Sequence, residues 1–284
     1  MSVPSQIDVF KNSYSDSVHL LLEQKKSLGG IFKEHALQGE KNFFDRFGSL
    51  SYGIQTQRNQ DVTAQDVDHS RRMCTTSKIF SAVHIEGMDK INMMMDPSNI
   101  YVERMGTALG RGYDDIVINA LLGNAASDKD GATPVAFDTV NQVIAEAATA
   151  LTVAKLNAAI AKLDAAGADT TDLVLILTAG GKEDLFNDDK IINGFYNHQA
   201  YMDNKIRFRG LRLVQFNNLP DVDADTARAL LVSPKALNIA VHDQVGFRID
   251  QLQDKIDTTQ ILGTLQMGAV RMEEKLVVDI QYVK

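Results

Sequence analysis

The sequence contains no tryptophan and one cysteine, Cys74, among 284 residues. A lone cysteine closes no internal disulfide and makes no thiolate zinc site by itself. Aromatic residues are only 7% of the chain, and they are not interleaved with basic residues. That excludes the stacking platform of a single-strand nucleic-acid binder. Basic charge is also short: 29 Lys and Arg stand against 37 Asp and Glu, a net charge of −8. Duplex binding rests on neutralising phosphates, so this chain on average repels nucleic acid. Long apolar runs are missing too. The longest, such as Leu173 to Leu177, cannot span a bilayer, and MSVPSQIDVFKNSYSDS has no basic start followed by an apolar core. The expectation is a chain made in the cytosol with no membrane partner.

What remains is an ordinary globular composition, 44% apolar and 23% charged. The length admits one large domain or two linked lobes. Met1 to Gln38 is polar with two short amphipathic stretches parted by Gly29-Gly30. Val18, Leu21 and Leu22 fall on one helical face, as do Ile31, His35 and, loosely, Leu37. This is an arm, with too few apolar residues for a core. Phe43 to Phe80 is long, polar and poor in leucine, but contains no proline. Its Thr, Val, Ser and Gln suit extended chain, and a structureless connection of this length would be unusual. A long two-stranded ribbon is the better reading. Such a ribbon is marginal alone in water and needs a surface to lie on.

Asp96-Pro97 signals a helix start. Val102, Met105, Leu109, Ile116 and Ala120 then share a stripe, and Gly123 can end the helix. Gly106, Gly110 and Gly112 inside it imply close backbone packing or a bend. Further helices are expected over Phe137–Thr149 and Val153–Ala166, and a short one from Ser233-Pro234 through Ala240. Strands are expected at LVLIL, Ile206–Phe216 with a turn at Gly210, Ala229–Val232, Val245–Leu252 and the C-terminal EKLVVDIQYVK.

Several stretches invite a chemical reading. LVLILTAGGKEDLFNDDKIING runs strand, glycines, lysine, helix. A phosphate-binding loop needs Gly-Lys followed by Ser or Thr. Here Glu183 and Asp184 follow Lys182, and carboxylates in a first helical turn oppose a phosphate by charge. An ordinary strand–turn–helix connection is favoured. Asp66, Asp68, His69 and Cys74 lie close in sequence but lack ligand-type spacing, so a solvated ribbon is favoured over a metal site. His84 and Glu86 alternate on one strand face. Asp221, Asp223 and Asp225 lack the glycine and terminal glutamate of a calcium loop. Met93-Met94-Met95 is an adaptable apolar patch for a core or a partner. No catalytic, cofactor or metal residues are assigned. Arg58, Arg71, Arg72 and Lys78 make the ribbon locally basic; they are candidates either for a solvated edge or for contacts to a neighbouring subunit.

The order of parts resembles the major capsid proteins of tailed bacteriophages, of the Hong Kong 97 type. VHIEGMDKINMMMDPSNIYVERMGTALGRGYDDIVINALL is similar to the segment where the extended loop returns and the long spine helix begins. LVLILTAGGKEDLFNDDKIING resembles the strand and helix of the axial lobe, IRFRGLRLVQFNNLPD its later strand and turn, and ALLVSPKALNIAV the strand and helix after that. MGAVRMEEKLVVDI resembles the closing strand, with Arg271 and Glu273 matching a frequent Arg-Pro-Glu and Met272 replacing the proline. The resemblance implies an α+β fold: N-terminal arm over 1–42, extended β-ribbon loop over 43–82, peripheral lobe over 83–135 and 241–284 with a spine helix at 97–122, and axial lobe over 136–240. It implies self-assembly into hexamers and pentamers of an icosahedral head around double-stranded DNA. It further implies a separate scaffolding protein, since the arm is too short to serve as one, and a portal during assembly. Location would be the virion, and the host cytoplasm before it. Covalent crosslinking through Lys78 is not expected. An encapsulin-like bacterial compartment shell is the alternative, and a small-molecule enzyme on an α/β lobe is a more distant one.

Overall fold

In the computed structural model, one strand organises half of the chain. The structure describes residues 27–36, 39–48, 50–62, 64–87, 97–169, 172–188, 210–242 and 246–284. Strand β13 (Thr258–Arg271) has fourteen residues. Along one side it pairs antiparallel with β4 (Ser77–Glu86), from Thr258 opposite Glu86 to Met267 opposite Ser77. Along the other side it pairs first with β12 (Gly246–Gln251) and then with β11 (Leu237–Val241). β11 in turn carries β1 (Lys33–Ala36) in parallel.

Strand geometry sends alternate residues to opposite faces. Ile261, Leu265 and Met267 therefore point one way and are buried against helix α1 (Pro97–Leu122). Val102, Met105, Leu109, Tyr113, Val117, Ile118 and Leu121 form the buried stripe of α1. Ile116 and Ala120, expected on that stripe, are only half-buried. Gly263 allows the close approach: a Cβ there would stand 3.2 Å from both Leu109 Cδ1 and Met105 Cε. Gly112 does the same from the helix side, where a Cβ would meet Ile79 Cδ1 at 2.9 Å. Of the glycines inside α1, Gly112 thus answers to packing.

A second sheet has the order β7 (Val143–Ile144), β14 (Val277–Val283), β10 (Thr226–Val232), β8 (Val174–Leu177), β9 (Arg212–Gln215). Its continuous apolar strands are buried on both faces. One face packs on α2 (Val153–Ala165) through Leu156, Ile160 and Leu163. On the other, Val174, Ile176, Leu230 and Val232 join the core of the first sheet. β14 lies inside this sheet, where Val277, Val278, Ile280 and Tyr282 are all buried and have cover on both sides. Helix α3 (Ala179–Asn187) follows β8, and Asp188 at its end accepts the Val153 N–H at the start of α2. Among the described residues no helix is long and apolar enough to cross a membrane.

A third, small sheet has the order β2 (Lys41–Phe47), β3 (His69–Thr75), β5 (Ala125–Ser127), β6 (Thr133–Val135). Ribbon pairing stops at Thr75. Residues 77–82, assigned from the sequence to the extended loop, instead begin β4, because Ile79 and Val83 turn in toward α1.

The arm is more deeply tied in than its composition suggests. Leu28, Ile31 and Phe32 are buried in the core beside α1. The buried Asp114 carboxylate accepts the Ser27 and Leu28 N–H groups at 2.9 and 3.0 Å. The Tyr113 hydroxyl donates to Glu34 at 2.6 Å. Ile31 and His35 do not share a helical face, since Lys33–Ala36 is a strand. Leu37, Val18, Leu21, Leu22 and Met93–Met95 lie outside the described residues.

Three other expectations differ. The helix over Phe137–Thr149 is absent. Asp138 accepts the Val140 and Asn141 N–H groups in a tight turn, and Ala147 and Ala148 both have positive φ. The carbonyls that a helix would use internally accept instead from lysines of α2: Lys162 reaches Asn141 and Val143, and Lys155 reaches Glu146 and Thr149. Val140 is 84% exposed. The helix from Ser233 to Ala240 is a single 3₁₀ turn, Pro234–Ala236, before β11. Of the strand over Ile206–Phe216, Gly210 has φ +78° and β9 begins at Arg212, while 206–209 lie outside the described residues.

Arg271 ends β13 and is fully buried. Its Nη1 donates to Leu121 O and Gly123 O, each at 2.7 Å, and its Nη2 to Val135 O at 3.2 Å. The guanidinium lies 5.4 Å from the Phe137 ring centroid. It therefore satisfies the last carbonyls of α1 and meets the negative end of that helix's dipole. Burial lowers its pKa, yet arginine starts so high that it stays charged. Replacing it by methionine keeps the bulk and orphans three carbonyls. Urea unfolding of Arg271→Met should show a loss of about 3–5 kcal/mol; a loss near zero would remove the residue from its structural role.

Cys74 sits in a small core with Ala125, Ala240 and Val270. Burial pushes its thiol up to about 11. The folded chain keeps a proton that the unfolded chain sheds near pH ~8.5. Its contribution to stability is therefore full below that pH and is lost as pH rises towards 11. At pH 8 a thiol-specific disulfide reagent should leave the folded subunit unmodified and label it on unfolding. Rapid labelling of the folded chain would contradict the burial.

Candidate assembly surface

The β2–β3 ribbon presents two unlike faces, because paired residues point the same way and neighbours along a strand point oppositely. Phe43, Asp45 and Phe47 pair with Met73, Arg71 and His69 on the outer face. Asn42, Phe44 and Arg46 pair with Cys74, Arg72 and Ser70 on the inner face. Gly48 donates to Asp68 O at 2.8 Å and extends the ladder by one bond. Beyond it the chain is irregular. Glutamine side chains hold it: Gln65 accepts from the Ser51 N–H and hydroxyl, and Gln60 accepts from the Thr56 N–H. Asn59 makes the turn at φ 64°. The expected long ribbon is thus a pair of seven-residue strands carrying a stapled loop.

This projection is rich in exposed apolar side chains. Phe43, Phe47, Leu50, Tyr52, Ile54 and Val62 are between 43% and 94% exposed. Phe80, on the outward face of β4 beside Lys78, is 71% exposed. Scattered single exposures are ordinary, and six within one stretch of twenty residues are more than that.

The four basic residues singled out from the sequence do not act together. Arg58 at the loop tip and Lys78 on β4 are exposed. Arg71 is exposed on the outer face, 2.6 Å from Asp45 and 5.6 Å from the Phe43 ring centroid. The Asp45 carboxylate, bonded to it, raises its pKa. Arg72 is buried on the inner face, and its Nη2 lies 2.7 Å from Glu274 Oε1. It is turned into its own subunit, which the alternation of a strand requires once Arg71 points out. Arg46, Glu273 and Glu274, which complete that inner cluster, carry no sequence signal beyond the Arg271-Met272-Glu273 match.

The chemical candidates resolve individually. Among the described residues no three His, Cys, Asp or Glu side chains converge as they would around a metal ion. His69 lies edge-on to Phe47 on the outer face, while Cys74 is buried on the inner one. His84 faces Lys255 Nζ at 3.2 Å. In the Gly180-Gly181-Lys182 stretch, Thr178 caps α3 by accepting the Gly181 N–H. A Cβ on Gly181 would stand 2.5 Å from the Tyr282 hydroxyl, so this glycine makes room for β14. Glu183 and Asp184 fall after the first turn, not in it. Lys182 lies over the Phe186 ring at 5.9 Å. The Asp221–Asp225 turn holds Lys284, whose Nζ is 2.8 Å from Asp221 Oδ2.

The fold is similar to that of solved structures. The capsid of cyanophage P-SCSP1u superposes with a TM-score of 0.67 at 16% identity, over 88% of this chain and 86% of that one. The capsid of Ralstonia phage GP4 gives 0.69 at 14% identity, over 89% and 87%. The cyanophage Pam1 capsid gives 0.69 at 12% identity, over 92% and 93%. No curated protein matches by sequence. The family described as phage capsid protein matches residues 7–284. Nearly the whole chain is thereby accounted for, and it belongs to the phage capsid protein family.

Proposed function

We infer that this subunit is the major capsid protein of a tailed phage head, built by self-association of many copies and carried in the virion. The observation behind this reading is the projecting loop with six large exposed apolar side chains and no core of its own. Each such side chain contributes about 1.5–3 kcal/mol on full burial. A second copy offers that cover, and a heterologous contact repeated around a ring closes into capsomers and shells. Arg58, Arg71 and Lys78 are positioned on exposed surface to take part; Arg72 is assigned to the subunit interior.

In this assignment α1 is the spine helix. The sheet of β1, β4 and β11–β13 forms the peripheral lobe, and the sheet of β7–β10 and β14 with α2 and α3 forms the axial lobe. Residues 1–40 are the arm, whose β1 joins the peripheral sheet. The extended loop runs from β2 to Thr76. Assembly in the host cytoplasm would use a scaffolding protein and a portal. The packaged double-stranded DNA is a neighbour without specific contacts, and the net charge of −8 suits a wall that contains DNA without gripping it. The role is structural, with no reaction assigned. The family match to phage capsid proteins gives no support to a compartment shell.

The test is to shorten the loop while sparing β3. Residues 50–66 are replaced by a two-residue turn between the Gly48 and Asp68 ends of the ladder. The purified subunit should keep its melting temperature and form no stable shells by negative-stain electron microscopy. Normal particles from this variant would rule out loop docking between copies.

A further inference from the structure

The inner face of the ribbon is fastened to the body by charge. Arg46 comes from β2 and Arg72 from β3. Arg46 Nη2 lies 2.5 Å from Glu273 Oε2, and its Nη1 lies 3.9 Å from Glu274 Oε2. Arg72 Nη2 lies 2.7 Å from Glu274 Oε1. Both glutamates belong to the turn that follows β13, and the residue at the end of β13 is Arg271. One short turn thus holds the ribbon through its two carboxylates and the end of α1 through its guanidinium.

Leverage makes this clasp matter. Seven paired residues extend roughly 23 Å, so a swing of roughly 10° at the base moves the far end by roughly 4 Å. Such a displacement exceeds what a close-packed contact with another copy tolerates. The base is also held by a hydrogen bond from Asn42 Nδ2 to Ala36 O at 3.4 Å, by a two-residue pairing of β3 with β5, and by the small core around Cys74. The two arginines, one on each strand, add charged ties on the inner face.

We propose that Glu273 and Glu274, gripping Arg46 and Arg72, are positioning residues that fix the angle of the extended loop, and so the geometry of the shell. This rests on the reading that the loop docks on a neighbouring copy. Arg72 and Glu274 are nearly dry, so their pair is integral to the fold. Arg46 and Glu273 are 34% and 29% exposed, and a pair that wet adds little to folding. That separates orientation from stability in an experiment.

The variants are Arg46→Glu, Glu273→Arg and their charge-swapped double, in the full chain. The readouts are subunit melting temperature and the diameter distribution of assembled particles. Each single variant should melt within about 3 °C of the parent. Each should lose the uniform diameter, giving broadened particles, tubes or sheets, and the double variant should restore it. Parent-like diameters from both single variants would overturn the proposal, as would a double variant that melts normally but stays aberrant. Should a single charge reversal fail to fold, Arg46→Gln and Glu273→Gln carry the same comparison, and parent-like shells from both would overturn it. The two readings fail separately. Loop shortening that leaves shells intact removes the docking itself, whereas shells lost on shortening but unchanged by the charge variants remove only the clasp.

Discussion

A single buried guanidinium stands where the parts of this subunit meet. Among the described residues Arg271 terminates the longest strand, receives the end of the longest helix, and leads into the turn that holds the ribbon. A full charge is tolerated there because three carbonyls and an aromatic face surround it. The geometry of those carbonyls cannot be met by a lysine point charge, since the planar fork reaches two separate chain segments at once. Much of the fold's connectivity follows. β13 carries one sheet, α1 lies across it, and β14 leaves the same turn to enter the other sheet.

Much of this was legible in the amino-acid order. The spine helix, the LVLIL strand and the helix after it follow from local pattern, which acts over a few residues. β13 did not show itself, although TTQILGTLQMGAVR alternates in part. Two of its inward or close-packed positions are glycines, Gly263 and Gly268, which weaken the strand signal while serving the contacts with α1 and Thr75. The false helix over 137–149 has the right apolar spacing. It lost to long-range partners, because Lys155 and Lys162 supply the donors that the helix would have supplied itself. Local pattern cannot register a donor that arrives from a later element.

The basic residues of the ribbon show a different limit. Their positive charge is evident from sequence, but their direction depends on strand register. Arg71 and Arg72 are adjacent in the chain and opposite in role, one on the outer face and one against Glu274. A one-residue shift in register would exchange them. The exposed apolar residues of the loop carry the complementary lesson. They look like poor folding material only while a single copy is considered, and they become reasonable once the molecule's true solvent includes other copies of itself.

The parallel pairing of β1 with β11 also sets an order of events in time. Residues 33–36 leave the ribosome early, while their partners at 238–241 are made late. Leu28, Ile31 and Phe32 likewise wait for a core that includes Ile261 and Leu265. Contacts so distant in sequence form slowly. During synthesis the arm therefore has no partner until β11 and β13 have been made. A chain interrupted before β11 has no place for β1, so an unfinished subunit differs from a finished one at the N-terminal segment as well as at its missing end.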